Sequence, residues 1–559
     1  MKGRSSTSLL KLDTAVRGAN LMAAVLVLVA CGGKSSSSSS YTVGGTITGL
    51  NVGSIVLANG TTTVTIAAGA STWVFPGSFT AGSSYAVTVD TQPAGELCEV
   101  TGGGSAATLT ANVDDVTVAC SDYGQWIWAG GLNEINGSGS YGTQGAALAS
   151  SVPGARYSAS SWTDSSGNFW LFGGVGYDST GSSGYLADLW QYSASTGLWT
   201  WASGGNGENA SGVYGTQGTT AVGNVPGARY SASSWTDSSG NLWLFGGYGY
   251  DSTGALGRLN DLWRYDPSTS EWTWISGDDV ANATGVYGTQ GDAGVGNVPG
   301  ARYAASSWTD SSGYFWLFGG VGYDATGAVG NLNDLWRYDL STNEWTWISG
   351  GSGDDAPGVY GTRGTASASN VPGARQAANS WTDLSGGLWV FGGYGAGSTG
   401  ELGYLNDLWR YSPSTGLWTW VNGGSGDDAS GVYGTQGTAA TSNVLGARQG
   451  ANSWIDSSGV VWLFGGVGYD SIGDVGDLND LWKYNPSSNE WTWVSGEDVT
   501  NAPGAYGTQG FTSAGTAPGA RQAGNSWIGP SGKLWLFGGA GYGSTGNGYL
   551  NDLWQFVPP

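Results

Sequence analysis

Arginine recurs at positions 156, 229, 302, 375, 448 and 521, each time closing a Gly-Ala-Arg tripeptide and each time 73 residues after the last. Aspartate keeps the same phase at Asp188, Asp261, Asp334, Asp407 and Asp480, and one residue early at Asp552. Brought into a ring, Arg156, Arg229, Arg302, Arg375, Arg448 and Arg521 would grip a carboxylate-rich ligand through paired N–H donors. The matching acids offer those guanidinium groups internal partners instead, and equal number and phase favour that second reading. A third set, Tyr141, Tyr214, Tyr287, Tyr360, Tyr433 and Tyr506, heads a Tyr-Gly-Thr-Gln motif broken only by Arg363. Tyrosine is an efficient contact residue, yet a loop packing down on its neighbour would repeat it equally, so both sets stand as ligand-binding candidates with a structural alternative. Asp178, Asp251, Asp324 and Asp470 lie in Gly-Tyr-Asp-x-x-Gly segments, with Gly397 and Gly543 in the other two places. Their spacing matches no calcium loop, so plain turns are expected there and no metal is assigned. Histidine is absent, which removes the commonest general base and the commonest metal imidazole. No catalytic set and no cofactor emerge.

The elements that must position these residues are short strands. The 559 residues include 103 Gly, 31 Trp and 28 Tyr with only 11% charged side chains, a mix that suits strands joined by glycine turns. Formal charge is −23, and no basic residue lies between Lys34 and Arg156. A nucleic-acid partner is therefore not expected.

Asp-Leu-Trp ends at Trp190, Trp263, Trp336, Trp409, Trp482 and Trp554 with the same period, the last interval being 72. A strict period of this kind marks an array or a propeller. Within the second copy, 229–235 reads as a strand of small residues, 242–245 as an apolar run ending in Gly246-Gly247, 259–265 as a third strand and Trp272-Thr273-Trp274 as a fourth. The double glycine, the aromatic near the end of the third strand and the Trp of the fourth resemble the kelch repeat over roughly 125–559. That resemblance implies an all-β fold, a six-bladed kelch-type β-propeller, with surplus length in loops because a kelch unit is about fifty residues. It also raises galactose-oxidase-like copper chemistry, which the lack of His and of any Cys after Cys120 excludes. A sialic-acid mutarotase-like activity remains as the alternative function.

The last copy ends at its third strand, while an orphan Gln125-Trp126-Ile127-Trp128 precedes the first. The two fit each other: the orphan completes the sixth blade and closes the ring. Tryptophan bookkeeping agrees, since five per blade and Trp73 account for all 31 only when Trp126 and Trp128 belong to that blade. A buried Trp removes about 150–250 Å² from water, roughly 4–6 kcal/mol before entropy is subtracted. Core packing between blades is thus the expected role of these side chains. The connections 237–240 and 267–270 are short, whereas 246–258 and 277–299 are long and collect on one face. That face is the expected place of recognition.

Ahead of the repeats, Lys2, Arg4, Lys11 and Arg17 precede an apolar run over 21–30, the pattern of a secretory signal. Leu28-Val29-Ala30-Cys31 followed by Gly32 resembles the bacterial lipobox. The resemblance implies a signal peptide over 1–30, lipidation of Cys31 and an outer-membrane destination, on the periplasmic side or at the cell surface. A serine-rich tether spans 31–40, a small β-sandwich 41–121, and the propeller 122–559. Cys98 and Cys120, in an exported chain, are expected to pair. The sequence therefore reads as a lipid-anchored, monomeric recognition protein for an extracellular protein or glycan.

Overall fold

The structure, a computed structural model, describes residues 39–558 apart from 52, 94, 95 and 514. The expected signal over 1–30, Cys31 and most of the serine tether lie outside the described residues.

Strand alternation builds the first domain. Two four-stranded sheets enclose one core of Val43, Ile47, Ile55, Leu57, Trp73 and Val118, among others, because every second residue of their strands is apolar. Cys98 and Cys120 face each other across the antiparallel pair Glu96–Gly102 and Val113–Asp122 and are disulfide-bonded.

Beyond it, the described residues form six four-stranded units, 156–203, 229–276, 302–349, 375–422, 448–495, and 521–556 completed by Trp126–Gly130. Trp126 faces Phe556, Trp128 faces Trp554 and Gly130 faces Leu553, so the N-terminal strand supplies the outer strand of the last blade. The cores lie between blades rather than within them. Leu242 and Leu244 of blade two pack with Trp162, Trp170 and Phe172 of blade one, and the sixth such cluster joins Trp527 and Phe537 to Phe169 and Trp190. Six seams with six cores make a closed ring. The second strand is buried on both faces, which is why it reads as an unbroken apolar run.

A hydrogen-bonded circuit marks the axis. The backbone N–H of Ser231 donates to Ser158 O (2.8 Å), Ala304 to Ser231 (2.8 Å), Ala377 to Ala304 (2.9 Å), Gly450 to Ala377 (2.9 Å), Ala523 to Gly450 (2.7 Å) and Ser158 to Ala523 (2.8 Å). Each of the six has positive φ, between 50° and 63°, and five carry a Cβ. Left-handed backbone turns the chain from the Arg-bearing segment into the inner strand, and the circuit offsets its strain.

The long connections differ from expectation. Residues 246–258 are largely hairpin, not loop: strands Leu242–Tyr250 and Leu256–Asp266 pair past a bulge at the double glycine and leave only the turn 251–255. Glycine here stands at φ 65° and 99°, with neighbouring carbonyls too close for a Cβ. The 277–299 connection folds onto the next blade, bridging Val286 to Val298 and donating from Gly291 N to Trp347 O.

Removing the Cβ strain on the axial circuit should raise stability. Ala304→Gly is expected to gain about 0.5 kcal/mol and Gly450→Ala to lose about 0.5–1 kcal/mol, read as shifts in the denaturant midpoint.

Candidate functional site

Each Arg of the periodic set enters its blade beside the double glycine and meets the Asp that opens the central part of the third strand. Arg302 donates from Nη1 to Asp334 Oδ1 (2.7 Å) and Gly319 O, from Nη2 to Asp334 Oδ2 (2.8 Å), and from Nε to Gly300 O. Asp334 Oδ2 also accepts from the Tyr287 hydroxyl (2.5 Å) and from Trp336 Nε1 (2.7 Å). The same clasp recurs in every blade, with Arg to Asp distances of 2.6 or 2.7 Å. All six arginines are at most 1% exposed and the six tyrosines 4–7%.

This corrects the ligand-binding candidacy of both sets. Arg156, Arg229, Arg302, Arg375, Arg448 and Arg521 spend their donors on aspartate and glycine carbonyls, while Tyr141, Tyr214, Tyr287, Tyr360, Tyr433 and Tyr506 donate to the same carboxylates. Neither set presents a polar face to a ligand. Burial opposes the charge of Arg156, yet Asp188 outweighs it and raises the guanidinium pKa. Burial likewise opposes the Asp188 charge, and Arg156 overcomes it, holding the carboxyl below its ordinary value. The clasp's contribution through Asp188 is therefore complete above the ordinary carboxylate range and is lost only as pH falls through the lowered pKa. Tyr141 is pushed well above 10 by burial and by the Asp188 charge, so it remains a donor.

The Gly-Tyr-Asp segments are turns. Asp251 Oδ1 accepts from Thr253 N, Thr253 Oγ1 and Ala255 N, and Oδ2 from Ala281 N. Burial works against its charge, but the Ala281 N–H and the Thr253 donors prevail and lower the pKa.

What the repeats do not share lies around the axis on the long-connection side. The residue after each periodic Arg starts a row across its sheet, and in five of the six blades the end of the row meets a residue of the next blade. Tyr230 pairs with Tyr248 and Tyr248 with Arg258. In the other blades the rows are Tyr157-Val175-Tyr185, Tyr303-Val321-Asn331, Gln376-Tyr394-Tyr404, Gln449-Val467-Asp477 and Gln522-Ala540-Tyr549. One arc is aromatic: Tyr549 contacts Tyr157 at 4.9 Å between ring centres, Tyr185 stacks on Tyr230 at 5.7 Å, and Tyr230 meets Tyr303 at 5.6 Å. The other begins each row with glutamine. Burial, then the neighbouring Tyr549, pushes Tyr157 up to about 12, so Tyr157 keeps its hydroxyl proton at neutral pH.

Two charges sit in this ring, three seams apart and hence across the axis from each other. The Arg258 guanidinium lies over Tyr248, Tyr303 and Tyr323 at 5.7–6.0 Å from each ring centre. Asp477 accepts from Gln522 Nε2 and Asn547 Nδ2, both at 3.3 Å. Burial raises its pKa to about 6, against those two donors.

The sequence carried the signal for this site in plain form. The first three copies read Gly-Ala-Arg-Tyr and the last three Gly-Ala-Arg-Gln, a difference that reading for sameness passes over.

The small domain meets the opposite face. Glu99 pairs with Lys533 Nζ at 2.5 Å, in the short turn between the first and second strands of blade six, and a cleft of about 620 Å³ there is lined by Leu97, Tyr123, Asp456, Ile528, Pro530 and Pro558. The mouth with its tyrosine arc therefore points away from the N-terminal side.

A closed ring of four-stranded antiparallel blades is a β-propeller. The chain belongs to the kelch-repeat proteins: the KLHDC2/KLHL20/DRC7 Kelch-repeats domain matches residues 216–361 and 292–505. It is similar to Multiple epidermal growth factor-like domains protein 8 of Mus musculus and of Homo sapiens, 30% identical over 194 residues, or 34% of this chain and 5% of each relative. It is also similar to Tip elongation aberrant protein 3 of Schizosaccharomyces pombe, 34% identical over 112 residues, or 20% of this chain and 8% of that protein. The matches thus span a small part of those relatives.

Because the raised carboxyl of Asp477 favours the protonated form in the fold, it costs stability once pH rises from about 4 through about 6. Asp477→Asn should stabilise the protein at pH 7 by about 1–2 kcal/mol after allowance for solvent screening and by nothing at pH 3.5, measured as unfolding free energies at the two pH values.

Proposed function

We propose that the chain is an exported, lipid-anchored recognition protein that binds an extracellular protein or glycan at the axial mouth on its long-connection face. The observation that carries this reading is the break in repeat symmetry there. A residue needed only to close a blade recurs in all six copies, as the clasp does. Tyr157, Tyr230 and Tyr303 do not recur; Gln376, Gln449 and Gln522 fill the same places. Partly exposed tyrosines on a rigid ring offer contact area at low entropic cost.

Kelch repeats support a role in interaction. The Cys31 anchor and the Ser35–Ser40 run, read from the sequence, would attach the chain at its N-terminal side, and the small domain sits against the short-turn face. This leaves the mouth turned outward. Catalysis of the mutarotase-like kind would bring an Arg and a carboxylate to one substrate atom. Arg258 and Asp477 stand in opposite seams instead, which favours binding.

Deleting 277–299 would not test this, since the segment carries Tyr287 and hence part of the Asp334 clasp. The better variant replaces Tyr157, Tyr230 and Tyr303 by Gln together, the residue that blades four to six already carry. Screened against a glycan array and an extracellular protein fraction, this triple variant should lose at least tenfold in capture of whatever the wild type retains, with Tm within about 3 °C of wild type. Undiminished capture would overturn the reading.

A further inference from the structure

Among the described residues Arg258 is the one cation in the rows around the axis. Of the basic residues in the described part, six are closed in clasps, Lys533 is paired with Glu99, Arg410 with Asp383, and Arg363 donates to Gly423 O over Trp420, whereas Arg258, Arg264, Arg337 and Lys483 have no ion pair. The Nε atoms of Arg264 and Arg337 are buried without a partner like that of Arg258, Arg337 lies over Tyr314 and Trp316, and Lys483 lies over Trp462. Arg258 lies over three tyrosine rings. Its Nε is buried without a hydrogen-bond partner, and among the described residues no carboxylate lies within ion-pair distance of its side chain. The same row position is held by Tyr185, Asn331, Tyr404, Asp477 and Tyr549 in the other blades, so closing a blade does not require a cation there. Within a chain of net charge −23, a guanidinium held between three tyrosines and left without an anion is a site awaiting one.

Resting on the reading of the mouth as the binding face, we infer that Arg258 is the anchoring point for the carboxylate of a short acidic saccharide, a uronic-acid unit whose sugar ring lies on the tyrosine arc. The surroundings select this class. The rows around the axis offer phenol hydroxyls, the amides of Gln376, Gln449 and Gln522, and Asp477, groups that pair with sugar hydroxyls. Their apolar members, Val175, Val321, Val467 and Ala540, are small and stand second in four of the six rows. The strong net negative charge disfavours a long polyanion, and Asp477 across the axis sets the orientation, since an acidic group there would meet a like charge. A guanidinium satisfies a carboxylate bidentately where a lysine would not.

The test is isothermal titration of the whole protein at pH 7.5 with short oligomers of galacturonate and of glucuronate, the methyl esters of both, and a tetraglutamate peptide. At least one free acid should bind at least tenfold more tightly than its ester. Arg258→Asn, which copies Asn331, should bring that acid to the affinity of the ester while leaving Tm in place. Equal binding of acid and ester, an Arg258→Asn variant that still distinguishes them, tighter binding of the peptide, or no binding of either uronate would each overturn the inference. Should the esters alone bind and the triple Tyr to Gln variant abolish that binding, the mouth is still the binding face and only the role of Arg258 fails. Should an acid bind equally to the triple variant, the reading of the mouth itself fails.

Discussion

The buried Arg to Asp clasp is the interaction on which the rest of this ring depends. A guanidinium and a carboxylate withdrawn from water carry a desolvation cost that is met only when every remaining donor and lone pair is engaged. Here the engagement is near complete: aspartate takes two N–H groups from Arg, the hydroxyl of a tyrosine and the indole N–H of the Trp two residues on, while the Arg reaches glycine carbonyls with the rest. One acid thereby ties together the incoming connection, the double-glycine bulge and the third strand. The tyrosine arrives on the long connection from the previous blade, so the clasp also fixes how that connection lies.

A clasp repeated in every blade leaves little freedom at the outer part of the sheets, and the axial circuit of backbone hydrogen bonds leaves little at the centre. Between these two constraints runs the row of residues after the periodic Arg. It is half-exposed, its side chains meet across seams, and the fold tolerates both Tyr and Gln at its start. Variation is cheap there, and that is where the six copies diverge.

The sequence made the period, the four strands per unit and the meeting of Trp126 and Trp128 with Leu553 and Phe556 legible, because each rests on local pattern or on simple inventory. Less was legible where a side chain's destination depends on its partner. Equal counts of Arg and Asp hinted at pairing, but only the geometry of Arg302 against Asp334 shows that Tyr287 joins the same carboxylate. The run 246–258 looked like a loop because glycines and a Tyr-Asp turn interrupt it; the register of Tyr248 with Arg258 makes it hairpin. The make-up of the mouth is not legible in the shared pattern of the repeats, because Tyr230 and Gln449 matter through their difference.

The central claim, that the periodic arginines hold the blades and do not serve a ligand, is tested most directly by a double-mutant cycle in chemical denaturation on Arg302→Met, Asp334→Leu and the pair together. The account predicts that each single change costs about 3–5 kcal/mol by stranding a buried charge and that the double variant is markedly less unstable than their sum, a coupling of about 2 kcal/mol or more. Single losses that simply add, or an Arg302→Met variant as stable as wild type, would contradict it.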